Sequence, residues 1–159
     1  MFKTHSTNSQ PPSQPDISDY VASLSEHTLT VNASTEHLSA VRDFVANHAT
    51  EFGFEVNDVA SIRLAVDEAY TNVIEHALKY DSTKSVMVSL GTKGDEFWIA
   101  ITDDGVPFNP SDYNEPNIPE RIKQRKRGGV GVYLIKRLMD KVEYNSKGSN
   151  NQIIMVKKR

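Results

Sequence analysis

Glu68, Asn72 and His76 follow one another at steps of four residues: a carboxylate, an amide and an imidazole. On an α-helix such steps place side chains nearly one above another, so a single strip would carry all three. The neighbours Ala69 and Val73 are apolar, which sets the strip at the border of a core. Asparagine is a mediocre helix former. Held mid-helix between two polar groups, it suits a ligand for a hard cation, because its carbonyl oxygen is the donor type that Mg²⁺ takes alongside retained waters. A carboxylate one turn away can accept a proton from a water or a hydroxyl. The same three residues also fit a plain solvated helix face, the commonest setting for polar side chains.

Two further clusters could carry chemistry. Asp103-Asp104-Gly105 ends an alternating apolar segment. Asp and Gly dominate ordinary turns; a carboxylate fixed at a strand end can also accept a hydrogen bond from an exocyclic amine, with glycine letting a flat ring approach the backbone. Arg127-Gly128-Gly129-Val130-Gly131 stands directly before a helical pattern. Glycines at a helix N-terminus make an anion site, since the free N–H groups and the helix dipole both point at the ligand. Three glycines in four residues also cost chain entropy that a simple helix start does not require. No G-x-x-x-x-G-K-[ST] occurs, which excludes a P-loop, and Leu134 stands where a G-x-G-x-x-G pattern needs glycine.

These clusters need elements to hold them. His27 to Asn32 alternates polar and apolar residues and predicts a strand. Ser34 or Thr35 can cap a helix carrying Leu38, Val41, Phe44 and Val45, which should stop before Gly53. Asn57 is a good N-cap for a second helix with the stripe Val59, Ile62, Val66, Ala69, Val73 and Ala77, expected to run to about Lys79. Val86, Val88 and Leu90, then Phe97, Ile99 and Ile101, predict two strands around a turn from Gly91 to Asp95. Asp103 to Pro110 is a loop and residues 111 to 128 are weakly patterned. A helix opens at Gly129 to Gly131, and a hairpin around Lys147 to Asn150 closes the chain. The order strand, helix, helix, strand, strand, helix, strand, strand predicts a two-layer α/β sandwich: a mixed, mostly antiparallel sheet with helices on one face.

Composition bounds the function. The chain has 159 residues, 38% hydrophobic and 25% charged, enough for one domain to bury a core unaided. It has no cysteine, so disulfides, zinc–thiolate sites and cysteine catalysis are excluded. No apolar run approaches a membrane span and no apolar leader is visible, so a cytoplasmic location is expected. Residues 1 to about 25, rich in Ser, Pro and Gln, predict a disordered tail ahead of a single domain over 26–159. Net charge is −3, but residues 121–127 carry five basic residues and no acid, leaving the rest at −8, with 13 basic against 21 acidic residues. That segment has no interleaved aromatics and sits on an acidic body, which argues against a nucleic-acid surface. Its place beside the glycines points to phosphates or an acidic protein partner.

Glu68-x-x-x-Asn72-x-x-x-His76, Asp103-x-Gly105 and Gly129-x-Gly131 occur in one order in one chain. This set resembles the GHKL (histidine-kinase-like) ATPases. Within them the chain is most similar to the stand-alone serine-kinase anti-sigma factors of partner-switching systems. The stretches that carry the likeness are Arg63 to Asn72, Asp104 to Pro110 and Gly129 to Asp140, and the similarity covers about residues 27 to 158. The resemblance implies a Bergerat-type ATP-binding fold. It implies that Asn72 coordinates Mg²⁺, that Glu68 is the general base, and that Asp103 accepts from the adenine amine with Gly105 leaving room for the base. Gly129 and Gly131 would let a lid reach the phosphates, Arg127 would face the terminal phosphate, and His76 would lie near them. The family's last strand usually carries a threonine supporting the adenine aspartate; here that stretch reads Asn150-Asn151-Gln152. Pro107 replaces a second glycine, in the manner of the anti-sigma subgroup.

The resemblance thus implies an ATP-dependent serine-protein kinase, working as a homodimer, that sequesters a sigma factor and phosphorylates a STAS-type anti-anti-sigma partner. The alternative is an ATP-binding module that sequesters its partner without phosphate transfer. Glu68 weighs against it, since a purely sequestering module needs no base there.

Overall fold

The computed structural model describes residues 25–107 and 130–159. The tail over residues 1–24 and the segment carrying Arg127 and Gly129 lie outside the described residues. Strand β1 spans His27–Asn32, and a 3₁₀ turn over Thr35–His37 leads into helix α1, Leu38–Phe52. Helix α2 covers Val56–Asn72 and continues as a π-helical turn over Val73–Ala77. Strands β2, Ser85–Lys93, and β3, Glu96–Asp103, precede helix α3, Val130–Leu138. Strands β4, Lys141–Lys147, and β5, Asn150–Lys158, complete the chain.

The five strands form one sheet in the order β1-β2-β3-β5-β4. Every neighbouring pair is antiparallel. The expected sheet was mixed; the hairpins β2–β3 and β4–β5, and the return of β5 beside β3, leave no parallel pair among the described strands. Alternation decides which face is covered. Val86, Val88 and Leu90 of β2, Phe97, Ile99 and Ile101 of β3, and Ile153 and Met155 of β5 join Val41, Val45, Ile62, Val66, Tyr70 and Ile135 of the helices in one core. The opposite face carries a smaller cluster of Trp98, Ala100, Ile154 and Val156. The two-layer α/β sandwich with its helical layer on one face is therefore the observed architecture. No described helix is long and apolar enough to cross a membrane.

Local chemistry sets the element ends. The Ser34 hydroxyl accepts from Glu36 N at 3.2 Å and starts the first turn. Gly53, at φ 109°, ends α1, because its left-handed backbone turns the next N–H, that of Phe54, back to Ala49 O at 3.3 Å. Two expected boundaries moved. Helix α2 begins at Val56 behind Glu55, so Asn57 lies inside the first turn and caps nothing. The β2–β3 turn is the two residues Gly94 and Asp95; Gly91 is a strand residue, paired with Trp98. Gly94 at φ 60° supplies the backbone that a tight hairpin needs.

Candidate active site

The four-residue strip is regular only as far as Asn72. Glu68 and Asn72 are half-buried on α2, and the helix then widens. Leu78 N donates to Val73 O at 2.9 Å, a five-residue step, and Tyr80 N donates to Ile74 O at 2.9 Å. Each residue of such a widened turn advances less around the axis, so His76, exposed in this turn, leaves the line of Glu68 and Asn72. Lys79 and Tyr80 follow at φ 49° and 61°, left-handed conformations that cost a non-glycine residue about 1–2 kcal/mol each. Strain concentrated at one helix end needs compensation from what docks there.

The loop after β3 docks there. Val106 N donates to Ala77 O at 2.9 Å. Gly105 lies so close to Ala77 that a β-carbon would overlap the Ala77 carbonyl and stand 2.9 Å from Leu78 Cδ2. Glycine is thus demanded here by the protein's own backbone, a reason the sequence did not disclose. The second cluster is in this way fastened to the end of the helix that carries the first.

Asp103 is 6% exposed, and its surroundings define its orientation. Oδ1 accepts from Gly105 N at 2.8 Å and from Asn151 Nδ2 at 3.0 Å. Asn151 Nδ2 also donates to Gly105 O at 2.8 Å, and Asn151 Oδ1 accepts from the Ser146 hydroxyl at 3.1 Å. Strand register explains the meeting: Asn151 of β5 is directly opposite Asp103 of β3 on one side and Ser146 of β4 on the other. Sequence reasoning marked Asn150-Asn151-Gln152 as a departure from the family threonine and did not see that Asn151 takes up the same aspartate. Asp104 is exposed and stands 3.5 Å from Lys84 Nζ, outside this network.

The third cluster reaches the first through α3. A β-carbon on Gly131 would lie 2.7 Å from Glu68 Oε2 and 3.3 Å from Asn72 Nδ2. The start of α3 therefore abuts the carboxylate and the amide. Asp67, the residue before Glu68, faces the other way and accepts from Arg42 Nε at 2.8 Å. That pair pins α1 to α2, and Asp67 holds the Arg42 guanidinium above its ordinary range, first by the hydrogen bond and then by its charge. Tyr70 adds a second pin: its hydroxyl donates to Ser34 O at 2.6 Å, and burial pushes the phenol up from its usual value. Glu68 is left facing α3.

Four of the five described candidate site residues beyond Glu68, namely Asn72, Asp103, Gly105 and Gly131, are thus tied to one helix, α2, and its π-helical end. His76 shares that helix end and points to solvent. The described residues hold no cluster of three carboxylate or histidine groups able to cage a metal ion by themselves. The donor set still fits Mg²⁺, which commonly takes one or two protein oxygens and fills its shell with waters and substrate phosphates. The Asn72 amide oxygen, beside the α3 N-terminus, is such a donor.

Residues 31–157 match the family described as the histidine kinase-like ATPase domain. The serine-protein kinase RsbW of Halalkalibacterium halodurans is 37% identical over 119 residues, covering 72% of this chain and 72% of that protein. Among solved structures, a chain of the SiaB–SiaC complex from Pseudomonas aeruginosa superposes with TM-score 0.60 at 10% identity, over 88% of this chain and 94% of that one. A structure of the RsbU and RsbW domains of a Mycobacterium tuberculosis protein gives TM-score 0.58 at 17% identity, over 83% of this chain and 31% of that one. At such identities the two structures speak for the fold alone.

Proposed function

The chain belongs to the histidine kinase-like ATPase domain family, and on that premise we propose that it is an ATP-dependent serine-protein kinase of the partner-switching kind. It sequesters a sigma factor and phosphorylates a serine of a STAS-type anti-anti-sigma partner. It does so in the cytoplasm, as a homodimer. The observation that carries the reading is the abutment of Gly131 on Glu68 and Asn72 while the Asp103 loop is fastened to the same helix. Groups that could serve as base-recognition carboxylate, proton acceptor, hard-cation donor and anion-binding helix N-terminus are thereby brought against one helix.

Each group then has one task. Asp103 accepts from the adenine amine through Oδ2, since Oδ1 already receives two hydrogen bonds. The N-terminus of α3 offers N–H groups and the positive end of its dipole to the phosphates. Gly129 and Arg127, ahead of that helix in sequence, contribute backbone and charge to the same phosphates. Asn72, with His76 nearby, serves the phosphate end, and Mg²⁺ held by the Asn72 oxygen supplies neutralisation of phosphate charge. Glu68 accepts the proton of the attacking serine hydroxyl. The serine oxygen bonds to the terminal phosphorus, the bond to the bridging oxygen breaks, and ADP leaves. Catalysis of this kind is chiefly positioning and charge stabilisation.

The test is phosphate transfer from labelled ATP to a cognate STAS protein, wild type against Glu68→Ala. Transfer in the wild type, lost in the variant with ATP binding retained, supports the kinase. Equal transfer in both sinks it, and tight ATP binding with no transfer to any partner would favour sequestration alone.

A further inference from the structure

We infer that Asn151 is the residue that sets nucleotide-base selectivity in this chain, by fixing which oxygen of Asp103 meets the base. The inference rests on the reading of Asp103 as the adenine acceptor. It concerns a residue that differs from the family's usual choice and that the sequence alone left without a role.

Asn151 is 9% exposed, and its side-chain amide makes three hydrogen bonds. Its amide nitrogen donates twice, to Asp103 Oδ1 and to Gly105 O. Both are acceptors that donate nothing in return, so the amide can only be oriented with nitrogen toward them. Its oxygen accepts from Ser146, which fixes the opposite end of the same plane. A hydroxyl side chain has one proton to donate and would reach Asp103 or Gly105, not both. Asn151 therefore ties the carboxylate and the loop backbone together, and β4 braces it from behind.

The consequence falls on the other carboxylate oxygen. With Oδ1 saturated by Gly105 N and Asn151 Nδ2, Asp103 cannot turn its plane without breaking both bonds. Among the described residues Oδ2 has no hydrogen-bond partner, so it is the oxygen free to accept. A fixed acceptor favours a purine with an amine at its six position and meets a six-oxo purine oxygen against oxygen, a repulsion with no donor to relieve it. Were Asn151 unable to donate, Asp103 could rotate away, and the amine would lose its partner while the oxo group would lose its penalty.

The probe is inosine triphosphate, which keeps the ring shape, ribose and phosphates of ATP and replaces the amine by oxygen. Affinities of the full-length chain for ATP and ITP in Mg²⁺ buffer are measured for wild type, Asn151→Leu and Asn151→Thr. Wild type should prefer ATP. Asn151→Leu should lose about tenfold or more in ATP affinity, the scale of a charge-assisted bond, with ITP affinity within about twofold, so that the selectivity ratio collapses. Asn151→Thr, which returns one donor, should recover most of the ratio. Equal losses for ATP and ITP would overturn the inference, because a merely structural residue would weaken both alike. An unchanged ratio in Asn151→Leu would overturn it too. A wild type that prefers ATP while the ratio ignores Asn151 leaves the ATP reading intact, whereas a wild type that binds neither nucleotide sinks both.

Discussion

Replacing Gly131 by alanine should separate stability from catalysis, and the structure says how far. The new β-carbon would stand 2.7 Å from Glu68 Oε2, where ordinary contact begins at 3.4 Å. Either α3 or the Glu68 side chain must therefore give by about 0.7 Å. The carboxylate is the far end of a flexible, half-buried side chain, so it should move and the helix should not. Alanine is also a better helix residue than glycine by about 1 kcal/mol. The urea midpoint of Gly131→Ala should accordingly equal or exceed that of the wild type. Phosphate transfer should behave differently. Misplacing a reacting group by about 1 Å can cost about a hundredfold in rate, so transfer at saturating ATP should fall by roughly ten- to a hundredfold. The assay pairs a urea melt with initial rates of labelled-phosphate transfer to the STAS partner. Wild-type transfer by a folded Gly131→Ala protein would refute the placing of Glu68 as the proton acceptor against α3. A loss of 2 kcal/mol or more in stability would show instead that α3 cannot accommodate the methyl group.

Gly105→Ala should do the reverse and damage the fold: its β-carbon meets the Ala77 backbone carbonyl, which cannot swing aside, and the Val106–Ala77 hydrogen bond goes with it. A loss of about 2–4 kcal/mol in a urea melt is expected, from overpacking and one backbone bond, and near-wild-type stability would contradict the close approach. Tyr70→Phe should cost about 1 kcal/mol at neutral pH through the lost bond to Ser34 O. Because burial raises the Tyr70 phenol, its contribution is complete below its unfolded value of about 10 and is lost as pH climbs from there through the raised folded value. Stability measured from pH 9 upward should therefore fall more steeply in the wild type than in Tyr70→Phe, and parallel curves would refute the assignment.

Much of the fold was legible because periodicity and burial agree. The strand at His27–Asn32, the stop at Gly53 and the closing hairpin are where alternation, a left-handed glycine and a turn cluster place them. The stripe from Val59 to Ala77 is the buried face of α2 and its extension. What escaped was backbone accommodation. Asn57 reads as a cap by type, yet the extended backbone of Glu55, with ψ 160°, already turns the chain into the helix one residue earlier. Gly91 reads as a turn residue, yet the tighter hairpin at Gly94 lets β2 run on past it. The π-helical turn has no signature that a four-residue period could reveal, since its cause lies in a loop some thirty residues further along. Asn151 was visible only as an absence of threonine, because its role depends on two strand registers that no local pattern encodes.

The π turn gives the separate motifs a common mechanical reason. Ala77 stands in the last turn of the helix, where carbonyls have no donor from the helix itself. Instead Asp81 N donates to Leu78 O, and Ala77 O receives Val106 N. The helix end thus offers one carbonyl to the loop that carries Asp103 and Gly105. That contact fixes the distance between the Asp103 carboxylate and the strip of Glu68 and Asn72, which on the proposed reading a nucleotide would bridge from ring to phosphate. The left-handed residues Lys79 and Tyr80 are the local cost of ending the helix this way. The hydrogen bonds at Ala77, Gly105 and Asn151 offset it, so the strain is held beside the proposed nucleotide site.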